Sequence, residues 1–159
     1  MKAIFKAALL AATLLALTAC HKEYVTDGPD MKTVKINVSQ DAWQYSNALD
    51  NNYFFATVKM PEINASVFKE GLVKMYRVYD WDTANASQTE LPYVRLNEYE
   101  NQDGEWIFFT ETIDYQFSAG EVTIFYTAGD FQYEINNFDD DPGNDFNPGP
   151  MEFRCVVVY

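Results

Sequence analysis

The chain carries one histidine, His21, and two cysteines, Cys20 and Cys155, which narrows the chemistry open to it. A Ser-His-Asp or Cys-His arrangement needs an imidazole beside its nucleophile. The only imidazole stands next to Cys20, at the start of a stretch (HKEYVTDGPDM, residues 21–31) with no periodicity and a Gly28-Pro29 turn signal. Zinc sites built from His and Cys need three or four such ligands, and Cys155 stands alone inside an apolar run, Phe153 to Val158. A small buried hydrophobe is the expectation for that thiol. Carboxylate pairs can serve a glycosidase, but with 24 Asp and Glu facing pairs arise by chance. The chain therefore reads as a non-enzyme that uses no cofactor.

Hard oxygen ligands cluster in residues 139–145, DDDPGND. Asp139, Asp141 and Asp145 are the candidate ligands for calcium, which takes six to eight oxygens. The spacing departs from a helix-loop-helix calcium site. Glycine falls one position early and no glutamate stands twelve residues along. Pro148, Gly149 and Pro150 follow, so the segment reads as a solvated acidic loop, and calcium is not expected to be needed for folding.

Aromatics offer the remaining chemistry: 11 Tyr, 12 Phe and 3 Trp. In a strand, alternate side chains face opposite sides. With Phe54, Ala56 and Val58 inward, Tyr53 and Phe55 point out. With Val94 and Leu96 inward, Tyr93 and Tyr99 point out. With Ile107 and Phe109 inward, Trp106 and Phe108 point out. These six outward aromatics are the candidate ligand-binding residues, able to stack on a sugar ring or anchor a protein interface. The plainer role for the same residues is cross-strand stabilisation of the sheet.

Cys20 follows a different kind of segment. Lys2 and Lys6 precede an uncharged apolar run over residues 7–17. That run is short for a membrane span, which takes about 20 residues, and fits the apolar region of a signal peptide. Leu17-Thr18-Ala19-Cys20 resembles the lipobox of bacterial lipoproteins. The resemblance implies removal of residues 1–19, diacylglycerol on the Cys20 thiol and acylation of the new amine. Several acyl chains anchor a protein stably where one does not. His21 rather than Asp follows the cysteine, which within that family favours the outer membrane. Residues 20–31 are expected to be the lipidated cysteine and a tether, reaching about 35 Å at roughly 3.3 Å per residue.

Removal of the signal leaves 140 residues with nine basic against 24 acidic side chains, a net charge of −15. Nucleic acid needs a basic footprint, so it is not an expected partner. The length suits one domain, residues 32–159. β-forming runs follow one another over residues 34–38, 53–60, 72–79, 93–96, 106–117, 121–127, 131–135 and 151–159, and one helical turn is expected over 64–70. Ser118-Ala119-Gly120 marks a hairpin connection. The last run is apolar on both faces, which suits a strand between two neighbours. The expectation is an all-β fold, an immunoglobulin-like or Greek-key β-sandwich of seven or eight strands rather than a closed barrel.

The order MPEI, EGLVKMYRVY, LPYVRL, ETIDYQF and FRCVVVY resembles a group of small lipoproteins of Bacteroidota. The resemblance covers most of the mature chain and implies compartment and fold, with no activity attached. Asp82-Thr83-Ala84 also resembles the short O-glycosylation motif of that group. The expected function is a membrane-anchored, non-catalytic binding or structural lipoprotein. It would hold the outer membrane through the lipid on Cys20, on the periplasmic or cell-surface face, with a glycan or protein partner. The alternative is an accessory subunit of a surface adhesin or fimbrial assembly, and a carboxylate-based hydrolase stands third.

Overall fold

Side-chain alternation at period two runs through most of the chain, and it builds sheets. The computed structural model describes residues 20–27, 30–46, 53–100, 104–128 and 148–159. The expected signal segment (1–19), the short strand at 131–135 and the acidic residues Asp139, Asp141 and Asp145 lie outside the described residues. Among the described residues ten strands run in order: β1 (Cys20–Asp27), β2 (Met31–Val38), β3 (Gln44–Ser46), β4 (Tyr53–Met60), β5 (Leu72–Tyr79), β6 (Ser87–Glu90), β7 (Tyr93–Glu100), β8 (Trp106–Ser118), β9 (Gly120–Ala128) and β10 (Met151–Val158). They form two five-stranded sheets, sheet A in the order β1-β2-β10-β5-β6 and sheet B in the order β3-β4-β9-β8-β7. All paired neighbours are antiparallel. The fold is an all-β sandwich.

The chain crosses between sheets after β2, β4, β6 and β9. Each crossing delivers a new hairpin, except the last, which inserts β10 between β2 and β5. That central place follows from the sequence of β10. Phe153, Cys155 and Val157 are fully buried toward sheet B, and Arg154, Val156 and Val158 are half-buried on the other face. Val34, Ile36 and Val38 of β2, Phe54, Ala56, Val58 and Met60 of β4, and Val122, Ile124 and Tyr126 of β9 complete the core.

Between β4 and β5 a single helix, α1 (Ala65–Glu70), is capped by Asn64, whose side chain accepts from the backbone of Ser66 and Val67 at 2.9 and 3.0 Å. An N-cap side chain of this kind satisfies donors the first turn cannot. Gly71 ends the helix where no side chain fits: a Cβ there would lie 2.6 Å from the Val158 carbonyl oxygen and 2.9 Å from Val67. Gly120 takes φ +96° at the tight β8–β9 connection, a conformation glycine adopts without steric cost.

Three strands depart from the sequence expectation. β3 is three residues long and β6 (Ser-Gln-Thr-Glu) is exposed throughout, so neither carries an apolar pattern. β1 was expected to be tether. Instead Cys20 to Asp27 pairs with β2 from Cys20 opposite Val38 to Asp27 opposite Lys32. The pairing is held at its inward face by Lys22, whose ammonium donates to both carboxylate oxygens of the buried Glu62 at 3.0 and 3.1 Å. The polar residues that suggested a tether are those an edge strand uses. Among the described residues no helix is long and apolar enough to cross a membrane.

Candidate functional site

The outer face of sheet B gathers part of the aromatic set. Tyr53 and Phe55 alternate with buried Phe54 and Ala56 and meet Phe125 of β9, with ring centroids 6.1 Å (Tyr53–Phe55) and 5.6 Å (Tyr53–Phe125) apart. Trp106 and Phe108 stand on the same outer face of β8, 58% and 55% exposed. Among the described residues, 106–110 pair with β7, and the pairing with β9 starts at Glu111.

Tyr93 is a correction. Val94 and Leu96 are 67% and 68% exposed, so the inward side of β7 is the other one. Tyr93 pairs with the fully buried Ile113 and packs against the core. The reason is the phenol. It donates to Glu111 at 2.6 Å and accepts from the Tyr79 hydroxyl at 3.1 Å, partners that an aliphatic side chain could not use. Tyr126 donates to the other Glu111 oxygen at 3.1 Å. Burial first, then the Glu111 hydrogen bond, pushes the Tyr93 pKa well above the ordinary tyrosine value; burial and the Glu111 charge do the same for Tyr126. Tyr99 pairs with Ile107, and its side chain lies outside the described set. Tyr93 does not belong with the outward aromatics.

Val94 and Leu96 take the place of Tyr93. In register, Val94 lies opposite Thr112 and Leu96 opposite Thr110, with Phe108 one pair further on, opposite Glu98. Val94, Leu96, Phe108 and Trp106 therefore form an apolar strip on one hairpin. Thr112 and Thr127 connect it to Phe125. Alternation alone divided these residues correctly into two sets; only the partner strand decided which set faced out.

Sheet A presents a different outer face. Lys35 of β2, buried to 8% exposure, donates to Asp82 at 3.1 Å and lies 3.4 Å from Glu152. Burial opposes its charge, but the Asp82 hydrogen bond and the two carboxylates outweigh it, and the pKa rises. The ammonium stands 4.8 Å from the ring centroid of Trp81. Trp81 sits between two residues of left-handed backbone, Asp80 at φ 52° and Asp82 at φ 71°, in the β5–β6 turn. Beside it is a cavity of about 260 Å³ lined by Trp81, Asp82, Ser87, Gln88, Arg154 and the apolar Val78 and Ala86. Arg154 lies 4.5 Å from the Tyr76 ring, and its Nε is buried without a hydrogen-bond partner. No aromatic pattern flagged Trp81, because it lies in a turn rather than a strand.

Burial raises the pKa of both thiols. Burial pushes Cys155 up to about 12. Burial, then the charge of Asp41, raises Cys20. Cys20 packs against the edge of the core and lines a groove of about 520 Å³ with Lys22, Ala42, Gln44, Thr57, Val58 and neighbours. The inward carboxylates are engaged: Glu62 by Lys22, and Glu111 by two phenols. Among the described residues no three His, Cys, Asp or Glu side chains are placed to hold a metal ion.

Comparison with protein-family models, with curated proteins and with solved structures returned no match. The chemistry of these surfaces is therefore the ground for a functional reading.

Proposed function

We propose that this chain is a membrane-anchored, non-catalytic binding lipoprotein of the bacterial envelope, lipidated on Cys20 and displayed on the periplasmic or outer face of the outer membrane. The observation that carries the binding reading is the strip Val94, Leu96, Phe108 and Trp106, each more than half exposed on one face of the β7–β8 hairpin. Contiguous exposed apolar side chains on a soluble fold mark interaction surfaces, and a large aromatic among aliphatics is the usual anchor of a protein interface. A protein partner on sheet B is the reading this strip favours. The sheet edges tell against strand addition in an adhesin or fimbrial assembly. Of the four edge strands, β3 and β6 are short, β7 carries Arg95 and Glu98, and β1 carries Lys22 and Glu23, charges that discourage edge pairing.

The groove beside Cys20 leaves space near the sulfur for a substituent. Because β1 belongs to the sandwich, no spacer of about 35 Å separates the lipid from the domain, and the β1 edge would lie close to the bilayer.

Two measurements test the proposal. Intact mass of the envelope protein should show loss of residues 1–19 and added acyl mass, both abolished by Cys20→Ser; identical mature masses would refute the anchor. Cross-linking in intact cells should give a discrete adduct that Leu96→Asp with Phe108→Asp removes while the thermal midpoint stays unchanged. An adduct indifferent to both substitutions would refute the sheet B surface.

A further inference from the structure

The cavity beside Trp81 lies on the opposite sheet from the apolar strip, and its lining is of another kind. One wall is the indole. The rest supplies donors and acceptors in close balance: the Arg154 guanidinium and the Gln88 amide donate, the Asp82 carboxylate and the Gln88 oxygen accept, and the Ser87 hydroxyl does both. The charges also balance. Lys35 and Arg154 stand against Asp82 and Glu152, so the surface has no net charge with which to draw in an ion. Among the described residues Arg154 has no carboxylate partner and lies over the Tyr76 ring. Its guanidinium donors are thus not consumed by an ion pair.

The indole is held in place from several sides. The Lys35 ammonium stands over the ring, Asp82 is tied to that same ammonium, and the turn is closed by Thr83, whose hydroxyl donates to the Asp80 carbonyl at 2.8 Å and accepts from the Asn85 backbone at 3.1 Å. Val78 and Gln88 are opposite each other across β5 and β6, which fixes the far wall to the sheet. A rigid aromatic plane spares a ligand the cost of ordering it.

A flat apolar wall ringed by mixed donors and acceptors suits a ring whose hydroxyls are each donor and acceptor and whose C–H face is apolar. A cavity of about 260 Å³ falls just below the range for drug-sized ligands, about 300–1,000 Å³, so it has room for one such ring and not for an extended chain. We propose that this cavity binds a single neutral hexopyranose unit, its C–H face on Trp81 and its hydroxyls on Ser87, Gln88, Asp82 and Arg154. This rests on the reading of the chain as a binding protein but not on the sheet B surface. A phosphate or uronate gains no net attraction from a surface whose charges balance.

The test is calorimetric titration of the full-length chain in a detergent without sugar head groups, using the methyl glycosides of glucose, galactose and mannose, with glucuronate in parallel. At least one neutral glycoside should bind saturably with a Kd of about 1 mM, more tightly than glucuronate. Trp81→Ala should weaken it about tenfold, and Gln88→Ala, on the exposed β6, about fivefold; the second variant keeps the test alive if the first unfolds. Leu96→Asp should bind sugar as the wild type does, which separates this site from the sheet B surface. Absence of saturable binding by any neutral glycoside up to about 50 mM would overturn the proposal. So would binding that Trp81→Ala and Gln88→Ala leave unchanged, or tighter glucuronate binding that Arg154→Gln abolishes.

Discussion

Phe153→Ala removes the largest fully buried side chain of β10, the strand that joins the β1–β2 hairpin to the β5–β6 hairpin. Phe153 has Ile36 opposite it on one side and Arg77 on the other. The Arg77 guanidinium lies 5.5 Å from its ring. Burying a phenyl side chain removes about 150–250 Å² from water, worth about 4–6 kcal/mol at 25 cal/mol per Å², an upper figure because unfolded chains already bury some surface. Phe-to-Ala substitutions in cores cost about 3–5 kcal/mol. A domain of this size has only about 5–15 kcal/mol in total, so the variant should lose about a fifth or more of its stability. Arg77, whose pKa burial already lowers, loses part of its cover as well. Urea unfolding followed by tryptophan fluorescence measures the loss. Val156→Ala, on the half-buried outer face of the same strand, serves as the control at about 1 kcal/mol. If Phe153→Ala costs no more than Val156→Ala, β10 is not the strand that holds the sandwich together.

Cys155 makes stability fall at alkaline pH. Its folded pKa of about 12 lies above its ordinary 9.0, so above pH 9 the unfolded chain gives up a proton that the folded chain keeps. Stability from this group is intact below pH 9 and declines as pH rises toward 12, by at most about 1.4 kcal/mol per unit. Cys155→Ala should flatten the decline relative to wild type, and equal slopes would refute it. Lys22→Ala removes the ammonium that donates to both oxygens of Glu62, whose side chain is 4% exposed, and should cost about 1–3 kcal/mol; hydrogen exchange should show β1 opening first, and unchanged protection there would contradict the role given to this pair. Tyr93→Phe strips one donor from Glu111 and should cost about 1–2 kcal/mol. A neutral or stabilising result in chemical denaturation would mean that the phenol does not decide which face of β7 turns inward.

Runs of β-forming residues were enough to locate β2, β4, β5, β8, β9 and β10, because β-branched and aromatic side chains are concentrated there. The helical turn over 64–70 was legible, but its details were not: the fold decides that Asn64 caps it and that a Cβ at Gly71 would strike the Val158 carbonyl. The central place of β10 was legible too, since a strand apolar on both faces is costly at an edge. β1, β3 and β6 were not. Edge strands derive their order from pairing with a neighbour, and a pairing partner leaves no mark in the strand's own composition. The face of β7 depended on tertiary structure for a sharper reason. Val94 and Leu96 are the more apolar set, and burial by transfer energy alone would choose them. Tyr93 goes inward because Glu111 and Tyr79, 18 and 14 residues away, wait there with hydrogen-bond partners. The same holds for the Trp81 cavity, whose walls come from β5, β6, β10 and the turn between β5 and β6. The types and order of side chains along the chain determined that this protein would be a sandwich. Which side chains meet across its faces was decided only when β10, the last strand, closed sheet A.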